Sequence, residues 1–129
     1  MQEPIQITFR GIEPSEAVER RILAKAADLE RFCSEIVSCH VTVATEHHKH
    51  HKGNLYEVRI DLRVPGKEIV AGRDRRQDHA HEDVYVAVRD AFDAAVRQLE
   101  DYVRLRRGYV KRHELEANEG LPPSALIPK

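Results

Sequence analysis

One stripe of apolar residues near the end of the chain constrains the fold more than any other feature. Between His81 and Arg112, apolar side chains fall at Val84, Val88, Ala91, Phe92, Ala95, Leu99, Tyr102 and Val103. Steps of three and four residues bring these positions to one face of an α-helix. A helix of this kind takes most of its stability from packing that face against something else. The rest of the chain must therefore supply an apolar surface of matching length.

That surface is visible upstream as period-two alternation. From Pro4 to Arg10, Ile5, Ile7 and Phe9 alternate with Gln6, Thr8 and Arg10, the pattern of a half-buried strand. Gly11 ends it. Pro14-Ser15 predicts a helix entry, with Ser15 as N-cap and Glu16 in the first turn, where negative charge is favourable. This helix runs to about Phe32 and carries Val18, Ile22, Ala26, Leu29 and Cys33 along one stripe. A second strand covers Ile36 to Glu46, with Val37, Cys39, Val41 and Val43 inward. A third covers Leu55 to Val64, where Tyr56, Val58, Ile60, Leu62 and Val64 alternate with Glu57, Arg59, Asp61 and Arg63. Pro65-Gly66 is a turn dipeptide, so Lys67 to Arg73 should return as an antiparallel strand. The order is β-α-β-β-β-α. One-sided strands and two amphipathic helices predict an α+β fold, a four-stranded sheet with both helices on one face.

The chain has 129 residues, 41% hydrophobic and 33% charged, which fits a single folded domain. The domain is expected over residues 1–113. Residues 114–129, with Pro122, Pro123 and Pro128, are expected to form a flexible or loosely docked tail. Cys33 and Cys39 form neither a disulfide framework nor a zinc spacing, and read as reduced core thiols. No secretory leader and no membrane-length apolar run is present, so the expected location is cytoplasmic, with no membrane partner. No nucleophile elbow, phosphate-binding glycine loop or paired-histidine motif appears, so no catalytic residue and no enzymatic activity is expected.

With a net charge of −1, any nucleic-acid role must rest on local clustering of charge. From Glu82 to Asp101 the long helix mixes acids and bases. From Arg104 to Arg112 it carries Arg104, Arg106, Arg107, Lys111 and Arg112 without an acid. Such a cluster suits phosphate; it equally complements the negative end of a helix dipole. The open sheet face should carry Gln6, Thr8, Arg10, Ser38, His40, Thr42, Glu57, Arg59, Asp61 and Arg63. It has no aromatic side chain on which a base could stack, so single-stranded RNA reading on the sheet is excluded. Any RNA contact should come from helices and loops and reach phosphates.

Two histidine-rich loops invite a metal reading. His47, His48, His50 and His51 read as a solvated turn. Asp78, His79, His81, Glu82 and Asp83 precede a helix, and Asp83 or a neighbour is expected to cap it. A metal site needs three or four converging ligands with support behind them. His79 and His81 are the nearest approach to such ligands, and no cofactor is expected.

The order of elements and several short segments together resemble the family of ribosome hibernation-promoting factors and ribosome-associated inhibitors, also known as sigma factor modulation proteins. Glu13-Pro14-Ser15-Glu16-Ala17-Val18 is similar to the family's entry into its first helix. Lys25 with Leu29-Glu30-Arg31-Phe32 is similar to a later segment of that helix. His81-Glu82-Asp83-Val84-Tyr85, then Ala87-Val88, then Arg97-Gln98-Leu99 looks like the family's second helix. The resemblance covers roughly Ile5 to Arg112.

The resemblance implies a double-stranded-RNA-binding-domain-like fold. It also implies binding to the small ribosomal subunit of bacteria through 16S rRNA, a block to initiation in idle ribosomes under stress, and no DNA partner. Lys25 and Arg97 sit where the family carries rRNA-facing cations, Arg104 and Arg107 continue that side, and Arg21 and Arg89 are further candidates. Asp28 and Ala94 depart from the pattern where lysine is usual, and Glu100 and Asp101 add acid. The tail is too short for the dimerisation domain of the family's long members, so the chain resembles the short form. Those departures support an alternative: a protein-interaction module on the same fold that has lost ribosome binding. The sequence leaves the oligomeric state open.

Overall fold

The structure is a computed structural model that describes residues 1–46, 55–72 and 83–120 of the chain. Its elements follow the order read from the sequence: β1 (Gln6–Arg10), α1 (Glu16–Phe32), β2 (Ser38–Glu46), β3 (Leu55–Val64), β4 (Lys67–Ala71) and α2 (Val84–Gly120). The fold is α+β, with a sheet of strand order β1-β2-β3-β4. β1 runs parallel to β2, with Ile7 opposite Val41, and the other two pairings are antiparallel. The chain divides into two compact units, Met1–Leu99 and Glu100–Lys129. Residues 47–54 and 73–82, with His79 and His81, lie outside the described residues, as do residues 121–129.

In the first unit one face of the sheet is buried and the other is not. Cys39, Val41 and Val43 of β2, with Val58, Ile60 and Leu62 of β3, are almost completely withdrawn from solvent. So are Val18, Ile22, Ala26 and Leu29 of α1, and Ala87, Val88, Ala91, Phe92, Ala95 and Leu99 of α2. The two periodicities thus meet in one apolar layer between sheet and helices. Thr42, expected on the open face, is also buried, at 9% exposure; it sits between Thr8 and Arg59, its neighbours in register.

Local chemistry explains the element ends. The Ser15 hydroxyl accepts from the Val18 amide at 3.4 Å, and its carbonyl accepts from Glu19 at 3.0 Å, which satisfies donors that the first turn of α1 leaves open. Asp83 does the same for α2, its carboxylate accepting from the Tyr85 amide at 2.9 Å. In the β3–β4 turn Gly66 has φ +79°, as the second position of such a turn requires. β4 stops at Ala71, short of the expected Arg73. Gly72 follows with φ +82°, and a Cβ there would stand 2.1 Å from the Val58 carbonyl oxygen. No side chain fits that crossing.

The end of α2 differs from the expectation. The helix continues to Gly120, past Arg112, and Gly108 does not break it. A glycine inside a helix costs about 1 kcal/mol relative to alanine, less than is needed to stop a run flanked by good helix formers.

Burial, and secondarily the charge of Asp61, push the Cys39 thiol up to about 12. The folded state therefore holds this thiol neutral. Its contribution to stability is complete below the ordinary thiol range and is lost as pH rises towards 12. Cys39 in the native protein should resist iodoacetamide at pH 8 and be alkylated only after unfolding, which mass spectrometry would read directly. Ile22→Ala, at a site with no exposure, should lower unfolding stability by about 2–5 kcal/mol in a urea titration.

Candidate functional site

The Arg97-Gln98-Leu99 segment shows how one helical turn serves three surroundings. Leu99 is fully buried, Arg97 is exposed, and the Gln98 amide donates to the Val70 carbonyl of β4 at 3.0 Å. Gln98 thus ties α2 to the edge of the sheet, and that tie fixes which side of the helix Arg97 presents to solvent.

The opposite flank of α2 faces α1. The Arg21 guanidinium lies 5.1 Å from the centre of the Tyr85 ring. This contact bridges the helices and is of the kind worth about 0.5–1 kcal/mol at an exposed position. Lys25 lies one turn along α1 from Arg21, and Arg89 one turn along α2 from Tyr85, so each shares the flank of its own helix that carries the contact. Arg97 lies apart from them. Twelve residues beyond Tyr85, it is rotated about 120° round the helix, at roughly 100° per residue.

The cations differ in how they are held. Lys25 and Arg97 form no ion pair among the described residues. Arg89 meets Asp90 at 3.2 Å, and Asp28 lies 3.9 Å from Arg31. Asp93 adds an exposed acid to α2. The helix surface of the first unit is therefore mixed in sign.

In the second unit Arg104 meets Asp101 at 2.6 Å, and Arg106 donates to the Tyr102 hydroxyl. Arg107 is exposed and forms no ion pair among the described residues. Surface pairs such as Arg104–Asp101 and Arg89–Asp90 are worth about 0–1 kcal/mol, so either arginine can exchange its carboxylate for another anion at little cost.

Tyr85 is half-buried, one position off the apolar stripe of α2. Its bridging role depends on where α1 lies, and no spacing within α2 encodes that. Among the described residues no group of three or more His, Cys, Asp or Glu is placed to hold a metal. Among them, too, no helix is long and apolar enough to cross a membrane.

The family model described as sigma 54 modulation protein / S30EA ribosomal protein matches residues 5–107, and the chain belongs to that family. It is 28% identical over 120 residues to the ribosome hibernation promotion factor of Deinococcus radiodurans, which covers 93% of this chain and 58% of that protein. The chain thus spans a little over half the length of that relative. Among solved structures it is similar to a ribosomal subunit interface protein from Coxiella burnetii, with TM-score 0.63 and 22% identity over 78% of this chain and 97% of that one. It is also similar to the N-terminal domain of protein Y from Thermus thermophilus, with TM-score 0.57 and 17% identity over 78% and 99% of the two chains. At these identities the likeness concerns the fold.

If Arg21 is held in place by the Tyr85 ring, Tyr85→Leu should keep the fold and free the guanidinium. The variant should unfold within about 1 kcal/mol of the parent, while the Arg21 Nε resonance in an NMR spectrum moves towards its free value. An unmoved resonance would show that the ring does not hold it.

Proposed function

We propose that this protein is a ribosome-associated translation inhibitor that binds the small subunit through 16S rRNA and blocks initiation in idle ribosomes. The observation that carries this reading is the set of cations on the helices of the family's fold, exposed Arg97 and Arg107 and half-buried Lys25, that form no ion pair among the described residues. Such groups can meet RNA phosphates without first breaking an ion pair, and each phosphate neutralised releases counterions. Arg104, Arg21 and Arg89 are the further contacts. Inhibition would be steric, by a rigid domain occupying space that messenger and transfer RNA need. The name of the Deinococcus relative supports the same direction.

The mixed charge of the helix surface favours a second reading, a protein-interaction module on this fold that has lost ribosome binding. Asp28, Asp90 and Asp93 stand among the cations of the first unit, and each weakens the potential a phosphate would feel. Location in the cytoplasm and a single domain over 1–113 with a tail at 114–129 belong to the first reading.

Sedimentation of the purified chain with small subunits across a salt series separates the two. The first reading expects co-sedimentation at low salt and a steep loss as salt rises. Reversing Arg97 and Arg104 to Glu should weaken binding roughly 10-fold or more and reduce the slope of log affinity against log salt by about two. Absence of binding at low salt would leave the interaction module as the reading.

A further inference from the structure

The open face of the sheet is satisfied through its middle and unsatisfied at one end. In the middle, Thr8 and His40 bond at 2.8 Å and Arg59 meets Asp61 at 3.1 Å. At the end where β2 begins and β3 finishes, Gln6, Ser38 and Arg63 present an amide, a hydroxyl and a guanidinium. None of these side chains has a hydrogen-bond or ion-pair partner among the described residues.

The sheet register brings these groups together. Gln6 stands opposite His40 and Ser38 opposite Arg63, and Ser38 and His40 are two residues apart on β2, so all four share one face. The Glu3 amide donates to the Val37 carbonyl at 3.0 Å, and the Val37 amide donates to the Arg63 carbonyl at 2.7 Å. The backbones of Glu3 and Arg63 thus flank the start of β2 from opposite sides, roughly 10 Å apart at a strand spacing of about 4.8 Å. Ser38, a short side chain, lies between them. A hollow of about 480 Å³ opens there, lined in part by Pro4, Ile5, Gln6, Ser38, His40 and Arg63.

The surrounding charges decide the class of occupant. Among the described residues of the lining, Arg63 is the one guanidinium and Glu3 the one carboxylate. On the same face Asp61 is held by Arg59, and Glu68, the neighbour of Arg63 on β4, forms no ion pair with it. Arg10 and Glu57 stand at the far end, in the row of Ala44. Three acids around one arginine oppose a doubly charged phosphate. A singly charged carboxylate meets less repulsion and matches the guanidinium fork. Pro4 and Ile5 add apolar surface for an alkyl group.

We propose that this hollow is a binding site for a small aliphatic monocarboxylate. The Arg63 guanidinium takes the carboxylate in a forked pair, and the Ser38 hydroxyl and Gln6 amide donate to its remaining lone pairs. The alkyl part rests on Pro4 and Ile5. The His40 ring, fixed by its bond to Thr8, bounds the site on the side of the satisfied middle. The site lies on the sheet face turned away from the helices, so it is independent of the cations assigned to RNA.

The test follows the amide signals of the full ¹⁵N-labelled chain against isovalerate, with neutral isovaleramide and inorganic phosphate as controls. Isovalerate at tens of millimolar should shift Ser38, His40 and Arg63, and neither control should. Arg63→Gln should raise the dissociation constant about fivefold, the scale of an exposed ion pair. Arg63→Lys, which keeps the charge but not the fork, should recover part of that loss. Ser38→Val, which fills the hollow at a strand position that suits valine, should abolish the shifts while signal dispersion stays native. Equal binding of isovaleramide, phosphate binding as tight as isovalerate, or unchanged binding by Arg63→Gln would overturn the proposal. So would shifts confined to the helices, or no shifts at all.

Discussion

Everything in the first unit depends on one apolar layer, where the period-two faces of the strands meet the period-3.6 stripes of the helices. Ile22 and Leu29 from α1, Val88 and Leu99 from α2, and Val41, Ile60 and Leu62 from the sheet are all removed from water there. At roughly 25 cal/mol per Å² of buried apolar surface, this layer is the main favourable term for a domain of this size. It also sets geometry. Once the stripes face the sheet, each cation on the helices has its direction decided to within a helical turn. Arg97 points to solvent because Leu99 points to the core and Gln98 reaches β4.

The family's short motifs acquire physical meaning in this frame. Asp83 is a helix cap, Tyr85 a platform for Arg21, and Gln98 a tie between helix and sheet edge. None of these needs to touch a ligand to matter. They position their neighbours: the Tyr85 ring holds the Arg21 guanidinium, and the Gln98 tie turns Arg97 to solvent. The same separation accounts for a member of the family with mixed-sign helices. Packing residues answer to the core, and surface charges answer to a partner.

The open sheet face and the β1 edge make a contrasting pair. The open face is polar and locally satisfied, with Thr8 bonded to His40 at 2.8 Å and Arg59 to Asp61 at 3.1 Å. At the β1 edge Ile5, Ile7 and Phe9 are only half-buried.

Strand alternation, the Pro65-Gly66 turn, the Ser15 cap and the two helical stripes were readable from the chain because each is a local pattern with a period or a turn requirement. Element order and the one-sided sheet follow from them. The end of α2 was not readable, since Gly108 carries a helix penalty that context outweighs. The grouping of the cations was not readable either. Arg21 and Tyr85 are far apart in sequence and meet only because two helices cross the same sheet face, and Arg97 stands away from them by rotation about an axis that the core orients. Local patterns determined which elements form and which faces are apolar. Only the packing of those faces, a long-range condition satisfied by the whole core at once, decided which charges share a surface and which strand edge is left open.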